Sequence, residues 1–173
     1  MSVTRLLTVD DAGELADVLA ANREHLAPWD PIRDESFYTP AGQVAALLPL
    51  LESHARGESL PLAIVDDDGS IAGRITLAGI VRGPFLSGGI GYWVRHESGG
   101  RGLAKAAVGD LLALAFGELG LHRVQAETLL HNERSQRVLK ANGFRQYGVA
   151  PEYLHIAGRW QDHAMFQVLA PGR

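Results

Sequence analysis

Gly89-Ile90-Gly91-Tyr92-Trp93-Val94, a short linker, and then Gly99-Gly100-Arg101-Gly102-Leu103-Ala104 decide how this chain is read. An apolar strand runs into a glycine-rich loop, and the loop opens into a helix from Leu103 to about Glu118. Glycines carry no Cβ, so their backbone N–H groups can approach a ligand closely. The first turn of a helix leaves N–H groups unpaired and holds the positive end of the helix dipole. The combination is an anion site suited to a phosphate or diphosphate.

Two phosphate motifs are excluded by single residues. A dinucleotide fingerprint counted from Gly100 needs glycine or alanine where Lys105 stands, and its acidic ribose partner would fall near Glu118, inside the first helix. A Walker loop needs a Gly-Lys-Ser/Thr ending, which the chain lacks. Gly102 and Ala104 do match the end of a Gln/Arg-x-x-Gly-x-Gly/Ala pattern, with Gly99 where glutamine or arginine is usual. In this the loop resembles the acyl-CoA loop of the GCN5-related N-acetyltransferase (GNAT) family. The same glycines would also serve a plain tight turn.

The following segment extends the resemblance. The strand His122–Thr128 leads to His131-Asn132-Glu133-Arg134-Ser135 and on to Asn142-Gly143-Phe144. Asn132 suits the N-cap, Glu133 the positive end of the dipole, and Asn142-Gly143 a left-handed stop with Phe144 packing beyond it. In the family an Asn-x-x-Ser at this helix start faces the thiol end of the cofactor. The segment Glu24–Ser36, with Pro28-Trp29-Asp30-Pro31, and the run Tyr153–His163 resemble the ribosomal-protein-alanine N-acetyltransferases, the RimJ/RimL group, and the RimJ-like members most.

The resemblance implies an α/β fold: a mixed, mostly antiparallel sheet with helices on both faces, splayed to form a cofactor cleft. It covers nearly the whole chain, and residues 1–173 are expected to form a single domain. Leu6–Val9 reads as a first strand, with a helix capped by Thr8 or Asp10 running through about Ala21. Thr39-Pro40 starts a helix through about Ser53. Pro61–Val65 and Ile71–Val81 pair across the turn Asp66–Gly69.

A hydrophobic content of 46% is enough for one core, and a net charge of −4 leaves no electrostatic footprint for nucleic acid. The absence of cysteine excludes a disulfide framework and a thiol-enzyme intermediate, and fits a reducing, cytoplasmic setting. No apolar run approaches a bilayer span, and the first residues lack a signal-peptide pattern. The seven histidines show no metal-ligand spacing, so no metal is expected.

Acetyl transfer to an amine needs a neutral nitrogen beside the thioester, donors for the developing oxyanion, and an outlet for a proton. A protein α-amine has an ordinary pKa of about 7.7–8.0 against about 10.4 for lysine, a gap of about 3.5 kcal/mol. A modest base acting through water therefore suffices for an N-terminus. Many family members place a glutamate on the cofactor strand, but Gly89–Val94 holds no carboxylate. Glu152 is the first candidate base and Glu127 the second, with Ser135 assisting the departing sulfur.

By resemblance, Trp93 and Val94 would border pantetheine, and Gly99, Gly100, Arg101, Gly102, Leu103 and Ala104 the diphosphate. Asn132 and Ser135 would face the thiol end. Trp29 and Tyr153 would line the acceptor cleft. The implied reaction is direct transfer from acetyl-CoA to the N-terminal α-amine of a protein, in particular an alanine or serine of a ribosomal protein. Acetylation of a small amine and non-catalytic acyl-CoA binding are the alternatives.

Overall fold

The structure is a computed structural model and describes residues 2–172. Seven strands form one sheet in the order β1-β2-β3-β4-β5-β7-β6. They are β1 (Thr4–Leu6), β2 (Leu60–Val65), β3 (Ile71–Val81), β4 (Ser87–Val94), β5 (Arg123–Leu129), β6 (Arg145–Ile156) and β7 (Arg159–Leu169). Neighbouring strands run antiparallel except β4 and β5. The helices are α1 (Ala12–Ala21), α2 (Arg23–Leu26), α3 (Pro40–Ala55), α4 (Leu103–Phe116) and α5 (Glu133–Ala141).

Alternation along the strands sorts their side chains onto the two faces of the sheet. Leu62, Ile64, Ile75, Leu77, Ile90 and Val124 pack with Val108, Leu111 and Leu139 of α4 and α5. Ala63 and Ile71 join Leu7, Leu15 and Leu47 on the α1 and α3 side. The expected mixed sheet with helices on both faces is therefore present.

The single parallel pairing positions the site. β4 and β5 pair from Ser87–Arg123 to Ile90–Ala126 and no further. β3 continues to pair with β4 as far as Val94, and β7 with β5 as far as Leu129. Beyond Ile90 the two central strands diverge, each held by its outer neighbour, and a cleft opens between them.

Some local expectations need correction. The first strand is Thr4–Leu6, not Leu6–Val9, and a 3-10 turn over Val9–Asp11 precedes α1. Asp11 organises that entry, accepting from the backbone N–H of Thr8 (2.8 Å) and pairing with Arg5 (2.7 Å). Thr39 caps α3 as expected, its hydroxyl accepting from Gly42 N–H at 3.1 Å. The C-terminal hairpin β6–β7 turns through Ala157 and Gly158, both with positive φ, the geometry that matches strand twist in a two-residue turn.

Candidate active site

Two cavities meet where β4 and β5 diverge. The first, about 510 Å3, is a groove bordered by Tyr92, Trp93 and Val94 on one side, Ser98–Gly100 and Gly102–Lys105 along its base, and α5 on the other. Gly100 and Gly102 both take left-handed backbone (φ 78° and 83°), Gly102 as the N-cap of α4. Nothing lies within 4 Å of where a Cβ on either would stand, so the loop presents open backbone to the groove. Lys105, Arg134 and Arg137 add positive charge along its walls. A strand edge freed from β5, glycine N–H groups at a helix start and three cations fit pantetheine followed by a diphosphate.

Arg101 does not belong to that wall. Its guanidinium pairs with Asp66 (2.8 Å) and Asp67 (2.9 Å) in the β2–β3 turn. Asp66 also accepts from Ser98 (2.8 Å) and pairs with Arg95 (3.1 Å). Its carboxyl is held far below the ordinary range, first by the N–H of Asp67 and then by Ser98, Arg101 and Arg95. Arg101 thus ties the glycine loop to the sheet instead of facing the groove.

The second cavity, about 680 Å3, lies on the α1 side of the sheet. Its floor follows from register. Arg74 and Thr76 on β3 stand opposite Trp93 and Gly91 on β4, and Gln125 stands beside Gly89. Glu127 follows Gln125 on the same face of β5, opposite Met165 on β7. Level with Thr76 and Gln125 the β4 floor is bare backbone, because Gly89 and Gly91 carry no side chain and no described atom lies within 4 Å of either Cβ position, while Trp93 stands on the same face opposite Arg74.

The roof is the segment between α1 and α3. Asp30 C=O accepts from Ala157 N–H (3.1 Å), and Ile32 meets Gly158 at the hairpin turn. Trp29 lies beside His131, with ring centroids 5.5 Å apart, so the roof also touches the β5–α5 loop. Trp29, Tyr153 and Leu154 line the cavity while remaining 37%, 40% and 38% exposed, which places its mouth at solvent.

Glu127 reaches this cavity, and burial pushes its carboxyl above the ordinary range, with no cation among the described residues offsetting that cost. Burial and then the Glu127 charge raise the Tyr153 phenol, so the two groups share the same space. Glu152, by contrast, is exposed, outside the lining, and has positive φ (45°). It sits in the register shift between Ala150 and Leu154, where its N–H donates to Asp162 (2.9 Å). The bulge sends Tyr153 to the cavity and Glu152 to solvent.

Trp29, Tyr92, Trp93, Asn132 and Ser135 line both cavities and mark their junction. Asn132 caps α5 by accepting from Ser135 N–H (3.1 Å). The Ser135 hydroxyl is 2.8 Å from that of Tyr92, whose phenol burial pushes up to about 12 against the opposing Ser135 hydrogen bond. Tyr92 therefore stays protonated near neutral pH. Its role, and those of Arg74, Lys105, Arg134 and Arg137 as lining cations, are absent from the motif-based reading. Only register and helix docking reveal them.

Among the described residues no cluster of three or more His, Cys, Asp or Glu could hold a metal ion, and no helix is long and apolar enough to cross a membrane.

Residues 3–145 match the family model described as an acetyltransferase (GNAT) domain. The chain is 35% identical over 170 residues to [ribosomal protein uS5]-alanine N-acetyltransferase of Escherichia coli (strain K12), covering 98% of this chain and 88% of the relative. The crystal structure of ribosomal-protein-S5-alanine acetyltransferase from Vibrio fischeri superposes with a TM-score of 0.92 at 36% identity, over 98% of this chain and 93% of that one. Mycobacterium smegmatis RimJ in complex with CoA-disulfide gives a TM-score of 0.92 at 30% identity, over 96% and 81% of the respective chains.

Proposed function

The chain belongs to the GNAT acetyltransferase family, and we propose that it acetylates the N-terminal α-amine of a protein, with an alanine or serine of a ribosomal protein as the leading acceptor. It is an N-acetyltransferase that uses acetyl-CoA. The observation that carries the acceptor reading is the character of the second cavity: solvent-open, and of mixed charge. Asp30 is paired with Arg33 there, and Glu127 and Arg74, unpaired among the described residues, leave the lining without net charge. An extended peptide fits such a site. A polyamine would gain little from an acidic set already balanced in charge by guanidinium groups.

Bound acetyl-CoA supplies the thioester. The β4 edge from Gly91 to Val94, unpaired on its β5 side, offers backbone N–H groups to the thioester carbonyl. Trp93 and Val94 border the pantetheine path, and Gly99, Gly100, Gly102, Leu103 and Ala104 receive the diphosphate. Arg101 holds this loop in shape through Asp66. Trp29 and Tyr153 form walls for the acceptor.

Glu127 takes the amine proton, directly or through one water, and its raised pKa makes it a stronger base than an exposed carboxylate. Ser135 and Tyr92 hydrogen-bond the departing sulfur. A phenol near 12 facing a thiolate of ordinary pKa about 8.5 is uphill by about 5 kcal/mol as a proton donor, so the pair stabilises the sulfur without protonating it. Asn132 fixes Ser135 in that position.

The test is thiol release from acetyl-CoA over peptides with free or blocked α-amines, polyamines and amino sugars. Turnover confined to free α-amine peptides is the expected result. Preferential turnover of small amines, or acetyl-CoA binding without thiol release, would overturn it.

A further inference from the structure

The acceptor cavity contains a cation without a partner. Arg74 on β3 lines the floor, and among the described residues it makes no ion pair and no hydrogen bond. The nearby carboxylate of Asp30 is occupied by Arg33, at 3.0 Å to Nε. Burial pulls the Arg74 guanidinium below its ordinary pKa, Asp30 opposes that pull, and Arg33 adds to it. The guanidinium is half-buried in the cavity wall, and its donors, met by no protein acceptor among the described residues, are available to an anion that enters.

A second unmet group lies beside it. Thr76 is two residues along β3 on the same face, its hydroxyl buried and without a hydrogen-bond partner. Five guanidinium N–H donors and one hydroxyl, side by side on one strand, match the oxygens of a carboxylate.

We propose that Arg74 and Thr76 form a carboxylate subsite that selects acceptors with an acidic side chain near the N-terminus. The inference rests on the α-amine reading above. Geometry decides between two sources of the carboxylate. Arg74 on β3 and Glu127 on β5 lie on either side of β4, and β4 diverges from β5 beyond Ile90, so their backbones stand at least two strand spacings, or about 10 Å, apart. A free amino acid holds its amine and carboxylate too close together to serve both ends. An extended peptide advances roughly 3.3 Å per residue, so a glutamate or aspartate at the second to fourth position can reach Arg74 while the α-amine stays by Glu127. Arg74 is thus a specificity-determining residue, remote from the reacting atoms.

The experiment compares N-terminal alanine peptides carrying glutamate at position two, three or four with their glutamine counterparts, alongside free glutamate and the dipeptide Ala-Glu. It uses the native enzyme, Arg74→Met and Arg74→Lys. The native enzyme should favour at least one glutamate peptide over its glutamine twin by about tenfold or more in kcat/KM, chiefly through KM. Arg74→Met should reduce that preference to below about twofold, and Arg74→Lys should restore part of it. The KM for acetyl-CoA should not change in either variant.

A native enzyme indifferent to glutamate but active on free α-amines overturns this proposal alone. A preference that survives in Arg74→Met overturns it as well, as does better turnover of free glutamate than of the peptides, Ala-Glu among them. Failure of every α-amine substrate overturns the function proposed above and this subsite with it. If Arg74→Met does not fold, a preference undiminished in Arg74→Lys is the overturning result.

Discussion

Glu127 is the residue whose environment says most about the chemistry. Burial raises its carboxyl pKa and no cation among the described residues lowers it again, so the ionised form is less favourable in the folded chain than in the unfolded one. That penalty is absent at pH values below the unfolded pKa of about 4.3 and grows as pH rises toward the folded value. Glu127→Gln should therefore raise Tm at about pH 8 and leave it nearly unchanged at about pH 3.5. The same variant should lower kcat by about a hundredfold with little effect on the KM for acetyl-CoA; a stability gain without loss of kcat would make Glu127 a mere wall. The sequence puts Glu152 first, on the family resemblance around Tyr153, and Glu127 second. Alternation places Glu127 on the Gln125 face, but which face holds the cleft is settled only by the docking of distant elements. The Glu152 bulge has no sequence signature. Tyr92 was legible as a strand residue, yet its partner Ser135 lies 43 residues away.

At the scale of elements, the glycine loop and the β2–β3 turn form one unit. Asp66 holds Arg95, Ser98 and Arg101 at once, and so fixes the loop that leads into α4. Asp66→Asn should raise the KM for acetyl-CoA by about tenfold and leave the peptide KM near its native value, measured by initial rates with each substrate varied. Because the Asp66 carboxyl is depressed in the fold, its contribution persists above the unfolded carboxylate range and is lost only as pH falls through the folded pKa. Elements with strong local punctuation were legible: the glycine-opened α4, the Thr39-capped α3, and α5 between Asn132 and Gly143. The Asp66–Gly69 turn was legible too, but as a turn, and nothing local shows that Asp66 meets residues some thirty positions later. β6 gives little inside–outside alternation because most of it is exposed on both faces.

For the molecule as a whole, the mixed sheet and its two helical faces followed from the order of motifs, and its splay from the family resemblance. The roof did not: Pro28-Trp29-Asp30-Pro31 marks an irregular segment, but not that it crosses to the β6–β7 turn and the β5–α5 loop. Trp29→Ala removes the ring that touches His131 and lines both cavities. It should raise the peptide KM several-fold more than the acetyl-CoA KM, as steady-state kinetics with each substrate varied would record; equal effects with a large drop in Tm would assign Trp29 to packing. The two cavities share their junction but have different outer walls, with Gly99, Gly100 and Gly102–Lys105 along one and Arg74, Glu127 and Tyr153 along the other. Each reactant therefore has its own doorway. Spent CoA need not wait for the acetylated chain to leave, and a long polypeptide can remain anchored while the small partner is exchanged, an arrangement suited to an acceptor that is itself part of a much larger body.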